Sequence, residues 1–258
     1  MEKIDGILKR FQTISLDELN RLKLMNRLDT KFTFALHQLP MVLEQLISNY
    51  KLLAIGGRSD LFYKTTYYDT ANFDMYLKHH NGVLNRYKVR KRTYLENNTT
   101  YLEIKSKNNK GHTVKERIPH TENGNAWSDA ENKFIASKLP LNLQTLLAIV
   151  SVGYRRLSLI NAEFNEKITI DLDLEFSKGE NKHKLNNIVV LEVKQTNRIK
   201  TPIFSILKEF KVRPTAFSKY CTGVNYLYPQ LKKNNFKEKL VTLNKIINDG
   251  PTNLITSI

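Results

Sequence analysis

Residues 86–94 read Arg86-Tyr-Lys-Val-Arg-Lys-Arg-Thr-Tyr94. In an extended chain successive side chains point to opposite faces, so Arg86, Lys88, Arg90 and Arg92 share one side of a strand. Same-side neighbours stand ~7 Å apart, and a row of like charges at that spacing is unfavourable unless an anion lies among them. The segments on either side repeat the pattern. Arg27, Asp29, Lys31 and Thr33 oppose Leu28, Thr30, Phe32 and Phe34, while Glu103, Lys105 and Lys107 oppose Leu102 and Ile104. Lys115 and Arg117 oppose Val114 and Ile118, and Arg156 and Ser158 oppose Leu157 and Leu159. Lys167, Thr169, Asp171 and Asp173 oppose Ile168, Ile170, Leu172 and Leu174. Glu192 and Lys194 oppose Val189, Leu191 and Val193. A sheet with one wet face accounts for any one of these strands. A sheet closed with its charges inward and its apolar residues outward, under helices, accounts for the row of cations. It makes a tunnel whose low-dielectric walls strengthen the field on a phosphate chain. Glu103, Asp171, Asp173 and Glu192 would then pair with Arg and Lys or hold a hard divalent cation through oxygen.

The composition agrees with a folded, anion-seeking protein. The 258 residues carry 41 Lys and Arg against 25 Asp and Glu, a formal charge of +16, and 41% are hydrophobic. That apolar share excludes global disorder. The single cysteine, Cys221, excludes an internal disulfide and a zinc cluster and reads as a small core residue. No run is apolar and long enough for a membrane span, and no signal peptide is visible. The expectation is a soluble, cytoplasmic, basic globular protein with a polyanionic partner.

Period-two alternation predicts strands over 27–34, 61–69, 85–94, 100–107, 112–119, 154–161, 167–174 and 188–195. Helical patterns cover 40–48, 128–139, 141–150, 203–210, 218–231 and 236–247. The second of these starts at Ser128, with Glu131 at the capping-box spacing. Asn- and Lys-rich stretches at 96–100, 105–112 and 178–187 read as loops. Strands outnumber helices and their connections are short. The fold class is therefore α+β, with an antiparallel β-barrel at its centre flanked by helices. Residues 1–25 read as an N-terminal extension, 26–230 as one domain that holds the predicted strands, and 231–258 as a basic amphipathic helix and tail.

Other motifs carry less. Adjacent His79 and His80 cannot readily chelate one ion, and Gly56-Gly57-Arg58 reads as a turn between strands. Neither G-x-x-x-x-G-K-[ST] nor G-x-G-x-x-G occurs, which excludes P-loop and dinucleotide sites. Ser218 before Lys219 reads as a helix cap beside a phosphate-binding lysine. Tyr220, Tyr226 and Tyr228 read as packing. The 231–247 stretch reads as a surface helix, with a membrane or partner contact as the alternative.

Nine pieces in order carry a resemblance: Arg27-Leu-Asp-Thr-Lys31-Phe, Tyr67-Tyr-Asp-Thr70, Tyr87-Lys-Val-Arg-Lys-Arg-Thr-Tyr94, Leu102-Glu-Ile-Lys105, Val114-Lys-Glu-Arg117, Tyr154-Arg-Arg156, Ile168-Thr-Ile-Asp171, Leu191-Glu-Val-Lys194 and Phe217-Ser-Lys219-Tyr. Together, over about 26–228, they resemble the catalytic domain of the vacuolar transporter chaperone complex, the eukaryotic polyphosphate polymerase, and its stand-alone prokaryotic relatives. The resemblance implies a triphosphate tunnel fold, an antiparallel barrel lined with Arg, Lys and Glu. It also implies transfer of the ATP γ-phosphate to a growing polyphosphate chain, with Mn2+ or Mg2+ as cofactor. Carried over by position, it assigns Lys31, Arg90, Arg92 and Lys219 to catalysis and Lys105, Lys115 and Arg156 to phosphate binding. Arg27, Lys88 and Lys194 join the phosphate-binding set from their places in the cation rows. Lys167 stands where the eukaryotic enzymes have arginine, keeping the charge without the bidentate fork. Glu192 matches the metal-binding carboxylate, with Glu103 and Asp171 as its helpers. Regulation by inositol pyrophosphate and coupled membrane translocation are not expected to carry over.

The expected partners are ATP and inorganic polyphosphate, with no nucleic acid. Phosphoryl transfer suits these residue types, because positioning and charge neutralisation do most of its work. Two alternatives stay open. One is a metal-dependent inorganic or nucleoside triphosphatase of the same fold, and the other is a non-catalytic polyanion or nucleic-acid binder.

Overall fold

The computed structural model describes residues 2–20, 28–110, 112–121, 127–140, 145–197 and 199–249. Among these, helices α1 (Glu2–Leu8) and α2 (Leu16–Asn20) flank the short strand β1 (Thr13–Ile14). Then come β2 (Leu28–Ala35), α3 (Leu39–Leu46), β3 (Tyr50–Leu53), β4 (Leu61–Asp69), α4 (Asp74–His80), β5 (Arg86–Tyr94), β6 (Thr99–Lys107) and β7 (Thr113–Pro119). The second half holds α5 (Asp129–Lys138), β8 (Leu147–Asn161), β9 (Glu166–Lys178), β10 (Asn181–Leu185), β11 (Ile188–Gln195), α6 (Pro202–Glu209), α7 (Lys219–Leu227) and α8 (Lys237–Asn248). The chain is α+β around one large antiparallel sheet, ordered β2-β11-β9-β8-β4-β5-β6-β7. β10 pairs with β9, β3 with β8, and β1 runs parallel to β3.

The sheet is curled rather than closed, which corrects the expected barrel. Its two ends approach, since Lys31 of β2 and Lys105 of β6 line one cavity, but among the described residues β2 and β7 share no ladder. The outer edge of β2 is taken instead by the chain leading to α7. Phe32 bridges Pro214, and the Thr215 amide donates to the Lys31 carbonyl at 2.7 Å. Covering an edge in this way removes a site for unwanted strand pairing.

The apolar face of the sheet looks outward, as alternation predicts. Phe32, Phe34, Leu157, Leu159, Ile168, Ile170, Leu191 and Val193 are buried under α1, α3 and α6. Val89, Leu102 and Ile104 are buried under α5. The capping box of α5 forms as expected. The Ser128 hydroxyl accepts from the Glu131 amide at 3.2 Å, and the Glu131 carboxylate accepts from the Ser128 amide at 3.1 Å. α7 packs against Val150, Phe176 and Val190. Its approach depends on Gly223, where a Cβ would stand 2.7 Å from both Phe176 Cδ1 and Val150 Cγ1.

Several expectations need correction. The helix over 141–150 is not one: 141–144 lie outside the described residues, and Leu147–Val150 open β8. Ile149 and Val150 are both buried, and a strand buried on two faces loses the alternation that identifies it. The 178–187 loop contains β10, a polar hairpin strand paired to β9. Asp173 leaves the inner face. The β8–β9 ladder is interrupted between Gly153 and Arg155, and Asp173 adopts φ 53°. That one-residue bulge turns its carboxylate outward to Arg155, at 2.5 Å. Helix 218–231 is shorter than read, ending at Leu227. Gly56 and Gly57, both at positive φ, make the expected turn before β4.

Candidate active site

The curl encloses a cavity of about 710 Å³. β2 delivers Lys31, β5 delivers Lys88, Arg90 and Arg92, and β6 and β7 deliver Lys105, Lys115 and Arg117. From the opposite wall come Arg156 of β8, Lys167 and Asp171 of β9, and Glu192 and Lys194 of β11, with Lys219 at the head of α7. The structure thus gathers in one place every cation assigned to the site from sequence except Arg27, which lies outside the described residues. Arg117 belongs to the same wall, although only its strand face was legible beforehand. His79 and His80 stand apart from it, in α4, where His80 Nε2 accepts from the Asn235 amide.

Three carboxylates organise the cations. Glu103, 1% exposed, accepts from Arg90 Nε at 2.6 Å and Lys115 Nζ at 2.5 Å, with Arg92 Nη1 at 3.9 Å. Strand order explains the arrangement, because β6 lies between β5 and β7 and Glu103 pairs in register with Arg90 on one side and Arg117 on the other. Asp171 takes a bidentate fork from Arg156, at 2.5 and 2.8 Å, and also accepts from Lys219. Glu192 accepts from Lys31, its ladder partner, and from Lys194.

Burial and charge in this enclosure shift several titrations. Burial would raise Glu103, but Arg90, Arg92 and Lys115 outweigh it and hold the carboxyl well below its usual range. Arg156 and Lys219 do the same for Asp171. Burial, together with Lys194 and Lys219, pushes Lys31 down to about 6, against the pull of Asp29. Lys115 falls to about 8 through burial and its arginine neighbours, with Glu103 opposing. The site therefore holds lysines short of full protonation, waiting on an anion.

Aromatic rings complete the walls, and the sequence reading passed them over. Tyr67 accepts from Arg90 Nη1 at 3.3 Å, and Tyr63 lies 5.1 Å from the Arg156 guanidinium. Tyr154 is nearly fully buried, with Lys219 Nζ 4.4 Å over its ring and, among the described residues, no hydrogen-bond partner for its hydroxyl. Burial would raise this phenol, yet Arg92, Arg156 and Lys219 bring it below the ordinary value. Their signal was available as alternation: Tyr63 and Tyr67 share a face of β4, and Tyr154 shares one with Arg156.

At the head of α7 the Ser218 hydroxyl accepts from the Cys221 amide at 3.3 Å and from Lys88 Nζ at 3.0 Å. The cap is the one read from sequence, and it aims the positive end of the helix at the tunnel beside Lys219. Tyr220 and Tyr228 serve packing as read, their hydroxyls donating to Asp69 and to the Ile149 carbonyl.

Past Lys88 and Lys105 the space continues into a second cavity of about 620 Å³, which shares Lys31 and Ser218 with the first. Arg86, Lys107 and, from α8, Lys239 line it.

The VTC domain model matches residues 26–228. The chain belongs to the VTC-domain family. Among solved structures it is similar to a Hippeastrum protein described as an adenylyl cyclase candidate with a dominant triphosphatase activity. The two are 15% identical over 78% of this chain and 96% of that one, with a TM-score of 0.50. It is also similar to an adenylate cyclase candidate from Vibrio parahaemolyticus, 9% identical over 78% of this chain and 99% of that one, with a TM-score of 0.46. No curated protein matches. In this VTC-domain protein the inward cations and outward core have the architecture of the triphosphate tunnel proteins. No helix among the described residues is long and apolar enough to cross a membrane.

The donor set bears on a metal. No three His, Cys, Asp or Glu side chains among the described residues gather into a cation cage. Glu103 and Asp171 are held by arginine forks, whereas among the described residues Glu192 is bound only by the Lys31 and Lys194 amino groups, which have no fixed fork. A hard cation that keeps few protein ligands and shares phosphate oxygens fits Glu192 alone.

Proposed function

We propose that the protein is a polyphosphate polymerase, transferring the γ-phosphate of ATP to a growing chain inside the tunnel. In this reaction the terminal oxygen of the chain attacks the γ-phosphorus, and the β–γ bridging oxygen leaves with ADP. Arg90, Arg92 and Arg156 fork the non-bridging oxygens. Lys31, Lys105, Lys115 and Lys219 neutralise charge along the chain, with Lys88, Lys167 and Lys194 extending the row. A divalent cation, Mn2+ or Mg2+, would be held by Glu192 and phosphate oxygens and would supply charge neutralisation between them.

The observation that carries the polymerase reading is the second cavity. On this reading a triphosphate occupies the region around Arg90 and Arg156. The cationic walls go on through Lys88 and Lys105 to Arg86, Lys107 and Lys239, a path that only a longer chain would use. The second reading is a triphosphatase, favoured by the activity described for the Hippeastrum protein and by the position of α8 over that second cavity. Purified protein incubated with ATP and manganese separates the two. The polymerase gives a mid-chain phosphorus resonance and a polyphosphate ladder, both lost in Glu192→Ala. Free phosphate without polymer assigns the hydrolase, and no turnover refutes both.

A further inference from the structure

At one end the tunnel changes character. Along β5 the inward row runs Arg90, Arg92 and then Tyr94, and along β6 the register partner of Arg92 is Tyr101. Tyr94 and Tyr101 meet edge-on, with centroids 6.0 Å apart and planes at 87°. Both are half-buried, so ring surface remains toward the cavity they line. Arg117 lays its guanidinium 4.5 Å from the Tyr101 centroid and enters no salt bridge among the described residues. Leu16 of α2 and Ile55 from the β3–β4 turn face the same space. Cations that neutralise phosphate therefore give way, within two residues on β5, to stacking surface and apolar side chains.

We infer that the Tyr94–Tyr101–Arg117 corner is the seat of the nucleoside of a nucleoside triphosphate whose phosphates occupy the cationic part of the tunnel. The inference rests on the reading of the tunnel as a triphosphate site and adds which part of the substrate binds where. Aromatic rings and arginine planes both stack on bases and tolerate any base. From Arg90 to Tyr94 the strand advances four residues, about 13 Å at ~3.3 Å each, a span suited to a nucleotide lying with its terminal phosphate inward. The second cavity is a poorer seat. Of its aromatics, Phe217 and Phe236 are buried, Phe236 is already packed against His79, His80 and Tyr76, and Tyr87 packs on the outer cluster of Val89, Leu102 and Ile104. The corner thus gives the site a means of telling a nucleoside triphosphate from inorganic triphosphate, which has no base to stack.

Calorimetric binding of two probes in magnesium buffer, imido-ATP and inorganic triphosphate, tests this on the full chain. Tyr101→Ala is expected to weaken imido-ATP about 10-fold, the scale of one lost base stack, and to leave inorganic triphosphate unchanged. Tyr101→Phe is expected to restore the nucleotide, and imido-GTP to follow imido-ATP. Equal loss for both probes, or no loss for the nucleotide, overturns the inference while the triphosphate reading stands. If wild-type protein binds neither probe, that reading fails and the inference falls with it.

Discussion

Replacing Glu103 by Gln keeps the shape of the side chain and removes the one charge around which Arg90, Arg92 and Lys115 are arranged. The carboxylate is 1% exposed, while Arg90 and Lys115 keep 21% and 31% of their side chains open to the cavity, so water compensates them only in part. Breaking a buried pair from one side costs about 3–5 kcal/mol. Gln still accepts one hydrogen bond, which favours the lower end, about 3 kcal/mol. At roughly 2–4 °C per kcal/mol for a chain of this size, the melting temperature should drop by about 6–12 °C. An anion in the tunnel can then do for the cations what Glu103 did. Inorganic triphosphate is expected to raise the melting temperature of Glu103→Gln by more than that of wild type, where saturating ligand at about 100 Kd gives ~2.7 kcal/mol. The pH dependence has a definite sign. Glu103 titrates below its ordinary value in the folded chain, so its stabilisation is complete above about pH 4.3 and is lost as pH falls below it. The gap between variant and wild type should therefore narrow in acid. Thermal unfolding followed by circular dichroism, with and without triphosphate, reads all three. An unchanged melting temperature without ligand, or a smaller ligand shift in the variant, would refute the reasoning.

Further outcomes follow from other sites. Gly223→Ala puts a methyl 2.7 Å from Phe176 and Val150. It should lose about 1–3 kcal/mol in urea unfolding and weaken triphosphate binding, because Lys219 rides at the head of that helix; wild-type stability would contradict the close approach. Triphosphate binding should take up protons near pH 8, because an anion raises Lys31 and Lys115 from about 6 and about 8. Binding heats compared in buffers of different ionisation enthalpy measure this, and proton release would contradict the lysine assignments. Ser128→Ala should cost about 1 kcal/mol and leave phosphate-ligand affinity unchanged, since α5 packs on the outer face.

How far the sequence could be read is clearest strand by strand. The inner face of 86–94 was legible because alternation needs nothing beyond the strand itself, and so were the cations of β2, β6, β7, β9 and β11. Which carboxylate meets which cation was not, because Glu103 reaches Arg90 and Lys115 only through the order β5-β6-β7, a property of the pairing. Asp173 was misplaced by a single bulge, an insertion to which a period-two count is blind. Leu147–Val150 open a strand without showing its period, because Leu147 and Ala148 are both exposed and Ile149 and Val150 both buried. Whether the curled sheet would close was equally hidden, since the outer edge of β2 bonds to Thr215, far along the chain. The tyrosines of the tunnel follow the same alternation, but a tyrosine on a strand face fits a packed core as well as a tunnel wall, so alternation alone does not assign it.

The edge position of β7 has a kinetic side. Among the described residues it pairs with β6 alone, and all its residues are exposed or half-buried. Its amides have the least holding them of any long strand in the sheet, so in hydrogen exchange it should be the first to open. Yet it carries Lys115, one of the groups that would grip phosphate. A loaded tunnel ties this loose strand to the rest of the wall, so slowed exchange across Thr113–Pro119 becomes a clock for occupancy, legible without any turnover.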